Sequence, residues 1–209
     1  MSRLAILDLD GTLLDTLDDL AASVNHALAV VGRPARTRSE IESFVGEGAR
    51  LLLERAVAPH AELAAPALAA GWRHYDEHCL DRTRPFPGIP ELLTRSGRRL
   101  AVHTNKPGRA ARHLFKGLGL LDRFAVVIGG DEAPRKPDPA GTLDIMRRLG
   151  ARPEDTVFIG DSPTDVRTAR NAGVTMVGVT WGFRPQAELR AAGAVHVVDR
   201  VAGLAPWLA

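Results

Sequence analysis

Two aspartates stand two positions apart, Asp8 and Asp10, at the end of an apolar run that begins at Leu4, and Gly11-Thr12 follows at once. If the run is a strand, both side chains leave on the same face, where two like charges repel and raise each other's pKa. Such a pair is sustainable where a cation lies beside it. Three other stretches offer partners: Thr104-Asn105-Lys106, Lys136-Pro137 and Gly160-Asp161-Ser162-Pro163-Thr164-Asp165. Each alone has an ordinary reading, a turn for Asp-x-Asp and a helix N-cap for Thr104, Asn105 or Gly160-Asp161. Together they supply carboxylates, a hydroxyl and an ammonium with no His or Cys cluster. An oxygen-only donor set of this kind favours Mg²⁺.

What must position these groups is legible in the apolar pattern. Five runs, 4–9, 100–104, 124–128, 156–159 and 175–179, are nearly continuous in apolar residues, as expected of strands covered on both faces. Helical spacing separates the last four: 107–118, a helix ending at Gly150, and 163–172 ending at Gly173. Strands alternating with helices predict a parallel α/β sheet with right-handed crossovers. Between the first and second strands lies far more chain than a crossover helix needs. Leu17, Leu20, Val24, Leu28 and Val31 form a stripe, and helices are expected at 38–45, 48–57 and 62–81. The expected architecture is a Rossmann-like, doubly wound α/β core, residues 1–14 and 84–209, with an inserted all-helical cap at 15–83. In such sheets ligands bind beyond the carboxyl ends of the strands, where all four polar stretches fall.

Composition narrows the partners. The chain has 209 residues, 45% hydrophobic and 25% charged, with a formal charge of +2, ordinary values for a globular protein. Without a dense basic stripe interleaved with aromatics, nucleic-acid binding is not expected. The arginine pairs at 98–99 and 147–148 read as solvated edges. A single cysteine, Cys79, rules out a disulfide framework and reads as a buried or idle thiol. No apolar stretch approaches the ~18 residues of a membrane span, and the N-terminus does not read as a signal peptide, so a cytoplasmic location is expected. Oligomeric state is unreadable. His103 precedes Thr104 in its strand and alternation turns it to the other side, a packing position. Trp181, after the last strand, reads as core packing near the polar ends.

The four stretches, in this order along the chain, resemble the motifs of the haloacid dehalogenase superfamily, in its phosphatase branch: Asp8-Leu9-Asp10-Gly11-Thr12, Thr104, Lys136 and Gly160-Asp161-x-x-x-Asp165. Within it, Thr104-Asn105-Lys106-Pro107, Gly46-Glu47-Gly48 and Trp181-Gly182-Phe183 look most like phosphoglycolate phosphatases. The resemblance implies a Mg²⁺-dependent hydrolase of a small phosphate monoester, 2-phosphoglycolate foremost. It makes Asp8 the nucleophile and Asp10 the general acid and base, with Thr104 and Lys136 around the transferring phosphoryl group. Asp8, the Asp10 backbone carbonyl and Asp161 would hold the metal, while Asp165 orients water or Lys136. It also turns the 44–50 loop toward the site, with Gly48, Asn105 and Arg50 as substrate contacts; the residues alone read equally as a helix-helix turn with an exposed Arg50. The same motifs would serve a sugar-phosphate phosphatase, a phosphomutase or a pyrophosphatase. A phospho-receiver has no use for the insertion, and a dinucleotide binder would carry Gly-x-Gly-x-x-Gly after the first strand.

Overall fold

The computed structural model describes residues 3–209. Among them, six parallel strands form one sheet: β1 (Leu4–Leu7), β4 (Arg99–His103), β5 (Val126–Ile128), β6 (Thr156–Gly160), β7 (Thr175–Val179) and β8 (His196–Val198), in the order β5-β4-β1-β6-β7-β8. All four residues of β1 are buried, and Ile6 sits level with Ala101 on one side and Phe158 on the other. The chain adds strands to one side of β1, then returns to add β6 on the other. That reversal opens a crevice at the carboxyl end of β1.

Helices α6 (Gly108–Gly117), α7 (Ala140–Leu149), α8 (Pro163–Ala172) and α9 (Gln186–Ala191) form the crossovers, with α5 (Ile89–Thr94) leading into β4 and α10 (Ala205–Leu208) closing the chain. Phe115, Leu114 and Val102 pack in one buried cluster, and Phe158, Ile6 and Ile145 in another. β8 has no counterpart among the expected strands. It is a three-residue strand at the sheet edge and only partly covered, so it lacks the continuous apolar run that marks the others. Arg98 is likewise not a solvated edge residue: it is half-buried and donates to the carbonyls of Leu4 and Asp155 at 3.4 and 3.0 Å, bridging β1 to the approach of β6.

Between β1 and β4 the chain forms α1 (Leu17–Val30), α2 (Arg38–Phe44), α3 (Ala49–Val57) and α4 (Ala64–His78). Leu17, Val24, Leu28, Ile41, Leu53 and Val57 make a buried cluster of their own. A two-stranded antiparallel ribbon joins this bundle to the sheet, β2 (Leu14–Asp15) against β3 (Arg84–Pro85). Buried Asp19 ties entry to exit by accepting from the Thr83 N–H and hydroxyl at 2.8 and 2.9 Å and from the Arg82 N–H. Cys79, just after α4, is buried, and no described helix is long and apolar enough to cross a membrane.

Candidate active site

The Asp8 N–H continues the ladder by donating to Ile159 at 2.9 Å, and the chain then turns. The Leu9 carbonyl gathers the N–H groups of Thr12, Leu13 and Leu14, and Gly11 takes φ +80°. Glycine is required there twice over, because a Cβ would also lie 2.4 Å from Asp161 Oδ2. Gly182 presses on the same carboxylate from the loop after β7, where a Cβ would again come within 2.4 Å of that oxygen. Asp161, thus seated, accepts from the Thr12 hydroxyl at 3.0 Å and the Phe183 N–H at 2.8 Å.

Lys136 connects the other two acids. Its Nζ is 2.8 Å from Asp8 Oδ1 and 2.7 Å from Asp165 Oδ1, with all three residues buried. The second Asp165 oxygen accepts from the Ser162 N–H and hydroxyl at 3.0 and 2.6 Å at the start of α8. Asn105 fixes the Lys136 backbone, accepting from its N–H at 2.8 Å and donating to its carbonyl at 3.2 Å. Apart from the Lys136 ammonium, no group among the described residues donates to the buried Asp8 Oδ1.

Oxygens of Asp8, Asp161 and Asp165 lie within 4.8 Å of one another. Burial pushes Asp8 up to about 7 against the opposing pull of Lys136, and Asp165 adds to the rise. Burial, then Asp165 and Asp8, push Asp161 up to about 8. Burial by itself would lower Lys136, but Asp165 and Asp8 outweigh it and hold the ammonium above the ordinary lysine range. Lys136 pairs with Asp8 and Asp165, while Asp161 has no ion-pair partner among the described residues. Those hard oxygen donors fit a hard divalent cation.

Asp10 faces elsewhere. Its Oδ1 accepts from the Thr16 hydroxyl at 2.6 Å and from Lys106 Nζ at 2.9 Å, with Oδ2 3.2 Å from the same ammonium. Lys106 is buried and lies over the Tyr75 ring, 4.8 Å from its centroid. Thr104 Oγ1 accepts from the Lys106 N–H at 3.2 Å, which fixes the turn between them. Asp8, Asp10, Thr104, Asn105 and Lys106 form the floor of a cleft whose walls are the helical bundle, with Gly46 and Gly48 at its rim. Asn105 also donates to the Gly46 carbonyl at 3.0 Å, joining floor to rim.

Comparison with known proteins places this geometry. Residues 5–179 match the family model for haloacid dehalogenase-like hydrolases. The chain belongs to that family. It is 40% identical to a phosphoglycolate phosphatase of Rhodospirillum rubrum over all of this chain and 91% of that protein. It is 39% identical to one of Agrobacterium fabrum, over 100% of this chain and 93% of that protein. The solved structure of a predicted phosphoglycolate phosphatase from Haemophilus somnus superposes with a TM-score of 0.92 at 30% identity, covering 99% of this chain and 97% of that one. The haloacid dehalogenase-like hydrolase described here thus shares its family and nearly its whole length with these phosphatases.

In this hydrolase the structure brings together Asp8, Asp10, Thr104, Asn105, Lys136, Asp161 and Asp165, with Gly48 at the rim. It does not bring Arg50. That side chain is 72% exposed, points away from the cleft and pairs with Glu54 one turn on, at 2.7 Å, because the helix start at Ala49 rotates position 50 outward. Nor do Asp8 and Asp10 share a strand face, since β1 ends at Leu7 and each acid meets its own lysine. His103 donates to or accepts from Thr142 Oγ1 at 2.9 Å behind the floor, and burial, with Lys136 adding to it, pushes its pKa down to about 3. Trp181 packs on the core while its Nε1–H donates to the Thr12 carbonyl at 3.2 Å. Sequence reading missed the pairing of Lys106 with Asp10, whose one signal was adjacency to Thr104-Asn105. Thr16 gave no signal. Arg184 gave none either, although it donates to the carbonyls of Glu42, Ser43 and Val45 and so anchors the end of α2 to the sheet.

Proposed function

We propose that this phosphatase hydrolyses a small phosphate monoester through a phosphoryl group carried covalently on Asp8, with residues 15–83 acting as a cap over the core. An Asp8 oxygen attacks phosphorus as the bond from phosphorus to the ester oxygen breaks, and Asp10 supplies the proton that the departing alcohol takes. To reach that oxygen the Asp10 carboxylate turns from Thr16 and Lys106 toward the cleft. A water then attacks the aspartyl-phosphate, Asp10 recovers a proton from it, and inorganic phosphate leaves. Thr104 and Lys136 offset charge on the phosphoryl oxygens as it moves. Asp8, Asp161 and the Asp10 carbonyl would hold Mg²⁺, which would supply the positive charge that lets a carboxylate approach a phosphate dianion. Asp165 orients Lys136.

One observation carries this reading: the Asp8 carboxylate is buried at the floor of an open cleft, 2.8 Å from the Lys136 ammonium and grouped with oxygens of Asp161 and Asp165 within 4.8 Å. The relatives' names make 2-phosphoglycolate the first substrate to test. Phosphate release from it is expected with Mg²⁺ and not with EDTA. Asp8→Asn is expected to lose turnover on the order of 10⁴-fold or more with the circular dichroism spectrum unchanged. Substantial turnover by a folded Asp8→Asn protein would refute the covalent role.

A further inference from the structure

The cleft changes character above its floor. Its helical walls present Leu20 and Val24 from α1, Leu52 from α3, and Leu68 and Trp72 from α4. Val24 and Leu52 are packed into the bundle, whereas Leu20, Leu68 and Trp72 are only half-buried and offer their remaining surface to the cleft. The charged residues lining it are Asp8, Asp10 and Lys106, and Lys106 is held by Asp10. Of the polar groups on the helical wall, Ser23 is hydrogen-bonded to His74 at 3.0 Å, and the Tyr75 hydroxyl is buried without a partner. With Arg50 turned out to Glu54, the helices bring no cation into the space above Asp8, and the Arg135 guanidinium lies outside it, against Gly48 at the rim.

We infer that this enzyme also hydrolyses monoesters of apolar alcohols, whose carbon body lies against Leu20, Leu68 and Trp72 while the phosphoryl group rests on the floor. This rests on the phosphatase reading above. The occupant follows from continuity, because the apolar walls rise from the same cleft that Asp8 and Asp10 floor, so whatever is esterified to the phosphate must pass between them. An apolar body gains there by leaving water. The cavity, about 70 Å³, is less than half the roughly 150 Å³ of one that holds a benzene ring, which suits a short alkyl group. The overall reaction is ester plus water to alcohol plus inorganic phosphate, and no other reactant is needed.

The test is a ladder of methyl, ethyl, propyl and butyl phosphate beside 2-phosphoglycolate, each with Mg²⁺, reading phosphate release. These alcohols leave with nearly equal acidity, so the ladder reports contact rather than leaving-group chemistry. kcat/KM is expected to rise by up to about fourfold per added methylene. Leu68→Gln should flatten the rise, and Leu20→Gln serves if the first variant fails to fold by circular dichroism. A flat wild-type ladder with 2-phosphoglycolate still turned over would overturn this inference alone. No release from any of the five esters would overturn the phosphatase reading itself.

Discussion

Floor and walls of one cleft are held together differently. At the floor and directly behind it, Asp8, Lys136, Asp161 and Asp165 are buried charges, each with partners at 2.7 to 3.0 Å supplied by distant parts of the chain. Such contacts are directional, and removing one member leaves another charge buried and uncompensated. On the walls, Leu20, Leu68 and Trp72 contribute area, which has no direction and is lost in proportion to the atoms removed. The floor therefore specifies one reaction, and the walls grade the esters that reach it.

This contrast can be broken hardest at Lys136. Lys136→Met strands Asp8 and Asp165 without their shared cation, and a loss of about 3–5 kcal/mol is expected in urea unfolding at pH 8 with EDTA present. A loss below 1 kcal/mol would mean that the floor tolerates unpaired charge as the walls tolerate lost area. A smaller effect lies behind the floor, at His103. Its folded pKa is about 3 against an ordinary 6.5, so between those values the unfolded chain holds a proton that the folded chain does not. Its contribution is therefore complete above pH 6.5 and is lost as pH falls toward 3, by up to ~1.4 kcal/mol per pH unit. His103→Gln, measured by urea unfolding at pH 7, 6 and 5, should have a shallower acid slope by about one proton. The smallest effect is expected at Arg50, whose exposed pair with Glu54 is screened by solvent. Arg50→Ala should leave KM for 2-phosphoglycolate unaltered, and a large rise in KM would put that side chain in the cleft after all.

Much of this molecule was legible because it depends on near neighbours in the chain. The helix expected at 163–172 is α8 to the residue, bounded by a Ser162 capping box and by Gly173 at φ +70°. The strand expected at 175–179 is likewise β7. The first strand proved shorter than its apolar run: Leu9 is buried, yet its carbonyl serves the turn rather than the sheet. β8 escaped notice because an edge strand has little need of the apolar continuity that betrays an interior one.

From residue order alone came the alternating strands and helices, the long helical insertion, and the arrival of acids, a threonine and a lysine at successive strand ends. Periodicity and capping are local, so they are written in consecutive residues. Which lysine would sit on which aspartate was not written there. Lys106 meets Asp10 across 96 positions, and Thr12 meets Asp161 across 149. Those partners, the outward turn of Arg50 and the apolar walls above the floor follow from how the bundle docks on the sheet. Such contacts depend on distances set by packing between elements, and no spacing within either element encodes them.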